Sequence, residues 1–328
     1  MCRCKRMALV LAAVTVMADW MWVPAGMTAY ASEKRLPKEL VARPVQEPET
    51  APAAEGEAEE AGTAEDGAAE MTAEDRETEQ KVDAYFDDAV FVGDSIMLGF
   101  RNYAMKRQED AFLSKLQFLA AGSYSANNAL WDLSNKDSVH PVYQGEPRYV
   151  WDSIAMMGSK KVFIMLGMND LNVTGLEGTW EKYEELLNKI KESSPGVEIH
   201  IIGMTYILHG KEVGKLENNT IREYNSMLTE MAKENGLGFV NIADSLADEN
   251  GDLAAEYCSD EFAHQNAQAY DIWVSVLRDY AKGQLEKTEY ARSGQEEAEN
   301  GEGESAGNEN KGNENKGNEV ASTRQGNG

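Results

Sequence analysis

Between residues 81 and 283 the chain alternates short apolar runs with longer stretches of helical spacing. The run 89–92 precedes a helical pattern over 95–106, 116–120 precedes 126–133, 161–166 precedes 179–192, 197–203 precedes 217–234, and 238–242 leads to a last helix near 266–281. These runs are too short for helices and do not alternate apolar with polar, which marks strands buried on both faces. Strand followed by helix, five times over, predicts an α/β fold with a parallel sheet between helices. In such sheets ligands bind beyond the carboxyl ends of the strands, so the loops after each run are where chemistry is to be sought.

The flanks have a different texture. Residues 32–80 hold no aromatic residue and few branched aliphatic ones, so they read as a disordered acidic linker, and 284–328, with Gly-Asn-Glu-Asn-Lys twice over 307–316, as a disordered low-complexity tail. The folded domain is therefore expected over 81–283. Arg3, Lys5 and Arg6 lead into the apolar run 7–18, and Ala29-Tyr30-Ala31 follows. That pattern predicts a signal peptide over 1–31 and a secreted or cell-surface protein, with an uncleaved membrane anchor as the alternative. Of the 3 cysteines, Cys2 and Cys4 would leave with the signal peptide, so Cys258 would have no internal disulfide partner.

The formal charge is −26, of which the linker carries −10, the tail −5 and residues 81–283 −13. A domain this acidic argues against nucleic acid and anionic membrane surfaces, both of which need clustered Lys and Arg. A monomer without stable membrane insertion after signal cleavage is expected.

Three loops carry candidate chemistry. Gly93-Asp94-Ser95 follows the first run, where a glycine turn and a serine at a helix start would put a hydroxyl beyond the sheet edge; the same residues are also an ordinary helix cap. Gly122 follows the second run and has a backbone N–H to offer. Asn169, after Gly167 on the third, has an amide, and both loops also read as plain turns. The chain has 4 histidines. His200 falls in an apolar run and reads as a core residue, while His140 and His209 lie in loops without a nearby carboxylate pattern, His209 also following a strand end where it could line a pocket. His264 stands just before the last helix, with Asp260 and Glu261 within four residues. The Gly210 to Lys215 segment is one residue short of a P-loop and lacks its Ser or Thr, no dinucleotide glycine fingerprint opens a helix, and no His or Cys pair has zinc spacing.

Taken together, Gly93-Asp94-Ser95, Gly122, Gly167-x-Asn169-Asp170 and the segment from Asp260 to His264, in this order, resemble the four blocks of the SGNH hydrolases, also called the GDSL esterase and lipase family. The resemblance spans about Tyr85 to Tyr280. It implies a three-layer αβα, flavodoxin-like fold with a five-stranded parallel sheet, and a cofactor- and metal-free serine ester hydrolase. In that scheme Ser95 is the nucleophile, His264 the general base and Asp260 the orienting acid, with Glu261 as the alternative acid because the family spacing is Asp-x-x-His. The oxyanion would be held by the N–H groups of Ser95 and Gly122 and by the Asn169 side chain, with Asp94 and Asp170 as caps of their turns. The implied substrate is a small-molecule or glycan ester, such as a carbohydrate O-acetyl group or a lysophospholipid-type ester. The same site would serve an O-acyltransferase acting on glycans, and a non-catalytic binding module is a third reading. The insertion 134–149 and the loop 205–216 are expected to shape the pocket.

Overall fold

The computed structural model describes residues 72–307, with side chains to 293. The expected signal peptide, the expected linker up to 71 and the expected tail from 308 lie outside the described residues. After α1 (Ala73–Ala84) come β1 (Ala89–Gly93), α2 (Ser95–Met105), β2 (Gln117–Ala120), the one-turn α3 (Ala126–Ala129), a hairpin of β3 (Val142–Tyr143) and β4 (Glu146–Pro147), and α4 (Val150–Met157). Then follow β5 (Lys161–Met165), α5 (Met168–Ser193), β6 (Glu198–Ile202), α6 (Asn218–Glu234), β7 (Gly238–Val240) and α7 (Ala267–Gly307). Five parallel strands form one sheet in the order β2-β1-β5-β6-β7. Helices α1, α2 and α7 pack on one face and α3 to α6 on the other, giving the αβα layering.

The central strands are apolar because both of their faces are covered. All of β1 is buried, as are β5 and β6 after their first residues. Phe118, Phe91, Phe163 and His200 lie abreast across four strands, with Phe91 stacked on Phe163 at 4.9 Å and Phe163 on His200 at 4.5 Å. Phe100 of α2 and Trp273 of α7 close over this row. His200 is the core residue expected: its Nδ1 lies 2.8 Å from the Tyr280 hydroxyl, and burial pushes its pKa down to about 4. The next position in the row is Gly238, where a Cβ would stand 2.2 Å from both His200 Nδ1 and the Tyr280 hydroxyl. Only glycine leaves room for that pair.

The chain leaves β1 for β2 on one side and later returns to β5 on the other. The connection therefore changes direction at β1, and a crevice opens there beyond the strand ends. Gly93 pairs with Ala120 of β2 and with Met165 of β5. Ser95, Gly122 and Gly167 each lie two residues past that shared rung, so three separate loops start their chemistry at one level.

Four sequence expectations need correction. The linker is not structureless up to 80, because Thr72 and Asp75 form a capping box that starts α1, Val82 is buried, and Glu79 and Asp83 pair with Arg278 of α7. Lys282 also reaches Glu79, at 2.9 Å. Those partners lie about 200 residues away in sequence, which is why composition alone missed them. At the other end α7 continues through Gly307 and Leu285 still packs on the core, so the domain does not stop at 283. The helix expected at 179–192 begins at Met168 and breaks at Gly175 (φ 70°), and the one expected at 126–133 ends at Ala129. Neither α4 nor the β3–β4 hairpin was foreseen.

A chain beginning at Lys81 loses the cap, most of α1 and the Glu79 contacts. We expect its Tm to fall by about 4 to 8 °C, taking roughly 2 kcal/mol for the lost helix and pairs. An unchanged calorimetric Tm would show that α1 adds nothing to the domain.

Candidate active site

Ser95 is the first residue of α2, and the buried Asp94 before it is the N-cap, its Oδ1 accepting from Ile96 N at 2.9 Å. The Asp94 cap is as the sequence suggested. Asp170 instead caps a different helix: its carboxylate accepts from the backbone of Ala126 and Asn127 at 3.0 and 2.9 Å, tying α3 to α5. Asn169 and Asp170 belong to the first turn of α5 rather than to a loop.

His264 comes from the far end of the chain, in a loop closed at its base. Cys258 bridges to Gln265, Ser259 N donates to His264 O at 2.8 Å, and the Trp273 indole N–H donates to Gln265 at 2.6 Å. Asp260 organises the turn from within. Its Oδ1 accepts from the N–H groups of Phe262, Ala263 and His264 at 3.0, 3.1 and 3.1 Å, and its Oδ2 lies 2.5 Å from His264 Nδ1. The other ring nitrogen, Nε2, is 2.9 Å from Ser95 Oγ. Glu261 makes no such contact: it is exposed, with φ of +60°. The extra residue between acid and histidine is thus taken up by a left-handed bulge at Glu261, and the short carboxylate reaches the ring.

A second tie sets the spacing between the two elements. Tyr270 of α7 donates its hydroxyl to Ile96 O, one residue past Ser95, at 2.9 Å. It passes over Gly99, where a Cβ would sit 2.0 Å from the Tyr270 oxygen. A glycine inside a helical pattern was the signal available for this close approach, and sequence reading passed over it.

Electrostatics follow from these contacts. The hydrogen bond to Asp260 raises the pKa of His264 above the ordinary imidazole value, against the opposing effect of burial, and the charges of Asp260 and Asp94 add to the rise. Burial pushes the Asp260 carboxyl up, but the His264 hydrogen bond and charge and the backbone N–H groups outweigh it and hold the group well below the usual range. Asp94, buried against few compensating donors, is pushed up to about 6.

The N–H groups of Ser95 and Gly122 have no protein acceptor among the described residues, and the space around Gly122 is open. The Asn169 amide lies at the same turn, with Nδ2 3.0 Å from Tyr124 O and 3.4 Å from Asp94 Oδ2. The site thus brings together Ser95, His264, Asp260 and Asn169. Of the remaining histidines, His140 is buried beside Tyr149, and His209 does have a carboxylate, Asp252, at 2.8 Å, from a turn about 40 residues on. Its loop is pinned to the His264 loop through Leu208 N to Phe262 O, and to α5 through Lys215 N to Asn172. A groove of about 800 Å³ lies at the opposite, amino end of β6 and β7, lined by Tyr85, His200 and Tyr280. It is remote from Ser95.

A doubly wound αβα sheet with a hydroxyl, an imidazole and a carboxylate in line beyond its switch strand is suited to acyl transfer through a serine nucleophile. Residues 91–272 match the GDSL-like Lipase/Acylhydrolase family, and the chain belongs to that family of ester hydrolases. Solved structures similar to it include a candidate acylhydrolase from Bacteroides fragilis, at 15% identity and TM-score 0.44 over 60% of this chain and 87% of that one. A GDSL-like lipase from Bacteroides thetaiotaomicron matches at 15% identity and TM-score 0.43, over 60% and 88% of the two chains. A lipase/acylhydrolase from Enterococcus faecalis matches at 12% and 0.42, over 60% and 96%. No curated protein matches the chain in sequence.

Proposed function

We propose that this protein is an exported serine esterase that removes small acyl groups from carbohydrate or other polar alcohols through Ser95, His264 and Asp260. The observation that carries the reading is the continuous line from Asp260 Oδ2 through the His264 ring to Ser95 Oγ, at 2.5 and 2.9 Å. Ser95 Oγ attacks the ester carbonyl while His264 Nε2 takes its proton. The alcohol departs with that proton, and the acyl-enzyme is released by a water that His264 activates in turn. Asp260 holds the tautomer with hydrogen on Nδ1 and stabilises the imidazolium. The N–H groups of Ser95 and Gly122 and the Asn169 amide hold the oxyanion. The His264 side chain is 42% exposed and that of Asp260 32%, so the site is open to a bulky alcohol. Export rests on the 1–31 pattern.

The test is hydrolysis of p-nitrophenyl esters of increasing chain length, with and without sugar acceptors. The reading requires highest kcat/KM for the shortest acyl groups. Preference for long chains would replace it with a lipid substrate, and acyl transfer to sugar exceeding hydrolysis would replace it with an acyltransferase.

The pH dependence has a definite sign. Only neutral His264 accepts the serine proton, so kcat/KM is lost as pH falls through the His264 pKa, and the contact with Asp260 places that midpoint above about 6.5. A pH profile of kcat/KM with an acid-limb midpoint at or below that of free imidazole would contradict the assignment.

A further inference from the structure

Asn169 has a donor edge and an acceptor edge, and only the donor edge can help an oxyanion. Both groups facing its Nδ2 are acceptors, the Tyr124 carbonyl at 3.0 Å and the second carboxylate oxygen of Asp94 at 3.4 Å. Two acceptors on one side decide the orientation of an amide whose flipped form has nearly the same shape. Asp94 has more acceptor capacity than its cap requires. Oδ1 alone satisfies Ile96 N, and Asp94 is 2% exposed, so its second oxygen has been taken out of water as well. A serine or asparagine would cap α2 without burying a charge.

We infer that Asp94 is a positioning residue for the oxyanion hole, its Oδ2 holding the Asn169 amide with the N–H edge, not the carbonyl edge, at the Ser95 turn. This rests on the esterase reading above. In the resting enzyme one Asn169 hydrogen stays with Tyr124 O, while the longer, weaker contact to Asp94 leaves the other to shift toward an oxyanion as charge develops there. The same carboxylate faces His264 from the 259–264 loop, Asp170 from α5 and Tyr270 from α7. It therefore also favours the imidazolium.

The experiment is a double-mutant cycle on p-nitrophenyl acetate with Asp94→Asn, Asp94→Ser and Asn169→Ala, each checked for native melting. Both Asp94 variants keep a side-chain oxygen for Ile96 N. Asparagine turns its own N–H₂ toward Asn169, whereas serine leaves the second position empty. Asn169→Ala should lower kcat by about 10² to 10³, and Asp94→Asn by about tenfold to a hundredfold with KM nearly unchanged. In the Asn169→Ala background, Asp94→Asn should add less than about threefold, because the residue it orients is gone. The acid limb of the pH profile should move down in both Asp94 variants as a negative charge beside His264 is lost, a shift that a general loosening of the fold would not produce. If Asp94→Asn fails to fold, the same cycle with Asp94→Ser decides. Multiplicative losses in the double variant, or full activity in the single ones, overturn the assignment while Ser95→Ala stays inactive. If Ser95→Ala retains turnover, the esterase reading falls and this assignment with it.

Discussion

Replacing Ser95 with alanine is expected to reduce turnover of p-nitrophenyl acetate to the rate of the buffer, a loss on the order of 10⁶ in kcat. The side chain lost is the one that His264 Nε2 faces at 2.9 Å, and the described contacts put no other hydroxyl on that nitrogen. Folding should be untouched, because the cap of α2 is Asp94 and the tie from Tyr270 goes to the backbone of Ile96. A fluorophosphonate probe gives a second readout: the native enzyme should be labelled to one equivalent and the variant not at all. Near-native hydrolysis by a well-folded alanine variant would remove the nucleophile from the proposal.

Asp260→Asn should come next in size, approaching a 10⁴-fold loss in kcat. The amide keeps the shape of the turn but presents a donor or a weak acceptor to Nδ1, so the wrong tautomer is favoured and the imidazolium loses its partner. Glu261→Gln should cost less than tenfold, or under about 1.4 kcal/mol, since its side chain is exposed and bonded to nothing in the site. Steady-state kinetics on the two variants, run together, decide the matter. Equal losses, or a larger one at Glu261, would mean that the loop takes another conformation in turnover. The Asp260 variant should also bring the acid limb of the pH profile down, because the contact that contributes most to raising the His264 pKa is gone.

Ser95, Gly122 and Asn169 were legible as candidates because each comes within a few residues of the end of an apolar run, and parallel strands in register bring those ends to one level. The αβα layering followed from the same runs. The identity of the acid was not legible. The family spacing left Glu261 as the alternative to Asp260, and which carboxylate faces the His264 ring turns on one backbone angle, the left-handed φ at Glu261, which no local pattern announces for a glutamate. Long-range pairs were equally hidden: Glu79 with Arg278, His209 with Asp252, and Tyr270 passing over Gly99 join positions between 43 and 199 residues apart. Local composition left 72–80 in the linker because the partners of α1 are on α7, far along the chain. The partition of α5 at Gly175 escaped for a related reason. Residues 168–174 offer only Met168 and Leu171 at helical spacing and are held as well by Asp170, whose carboxylate accepts from the backbone of α3.

The shared rung at Gly93, Ala120 and Met165 also separates the short connections of this domain from its long ones. Ser95, Gly122 and Asn169 follow their strands within a few residues of that rung, whereas Asp260 and His264 stand about 20 residues past β7, in the long loop before α7. The β3–β4 hairpin lies within 134–149, and the 205–216 segment is moored at Leu208 and Lys215. The second is bonded directly to the loop that carries His264, through Leu208 N to Phe262 O at 2.8 Å. A change within 205–216 is therefore tied to the position of the imidazole through the backbone, whereas the hairpin is attached to the domain beside β2.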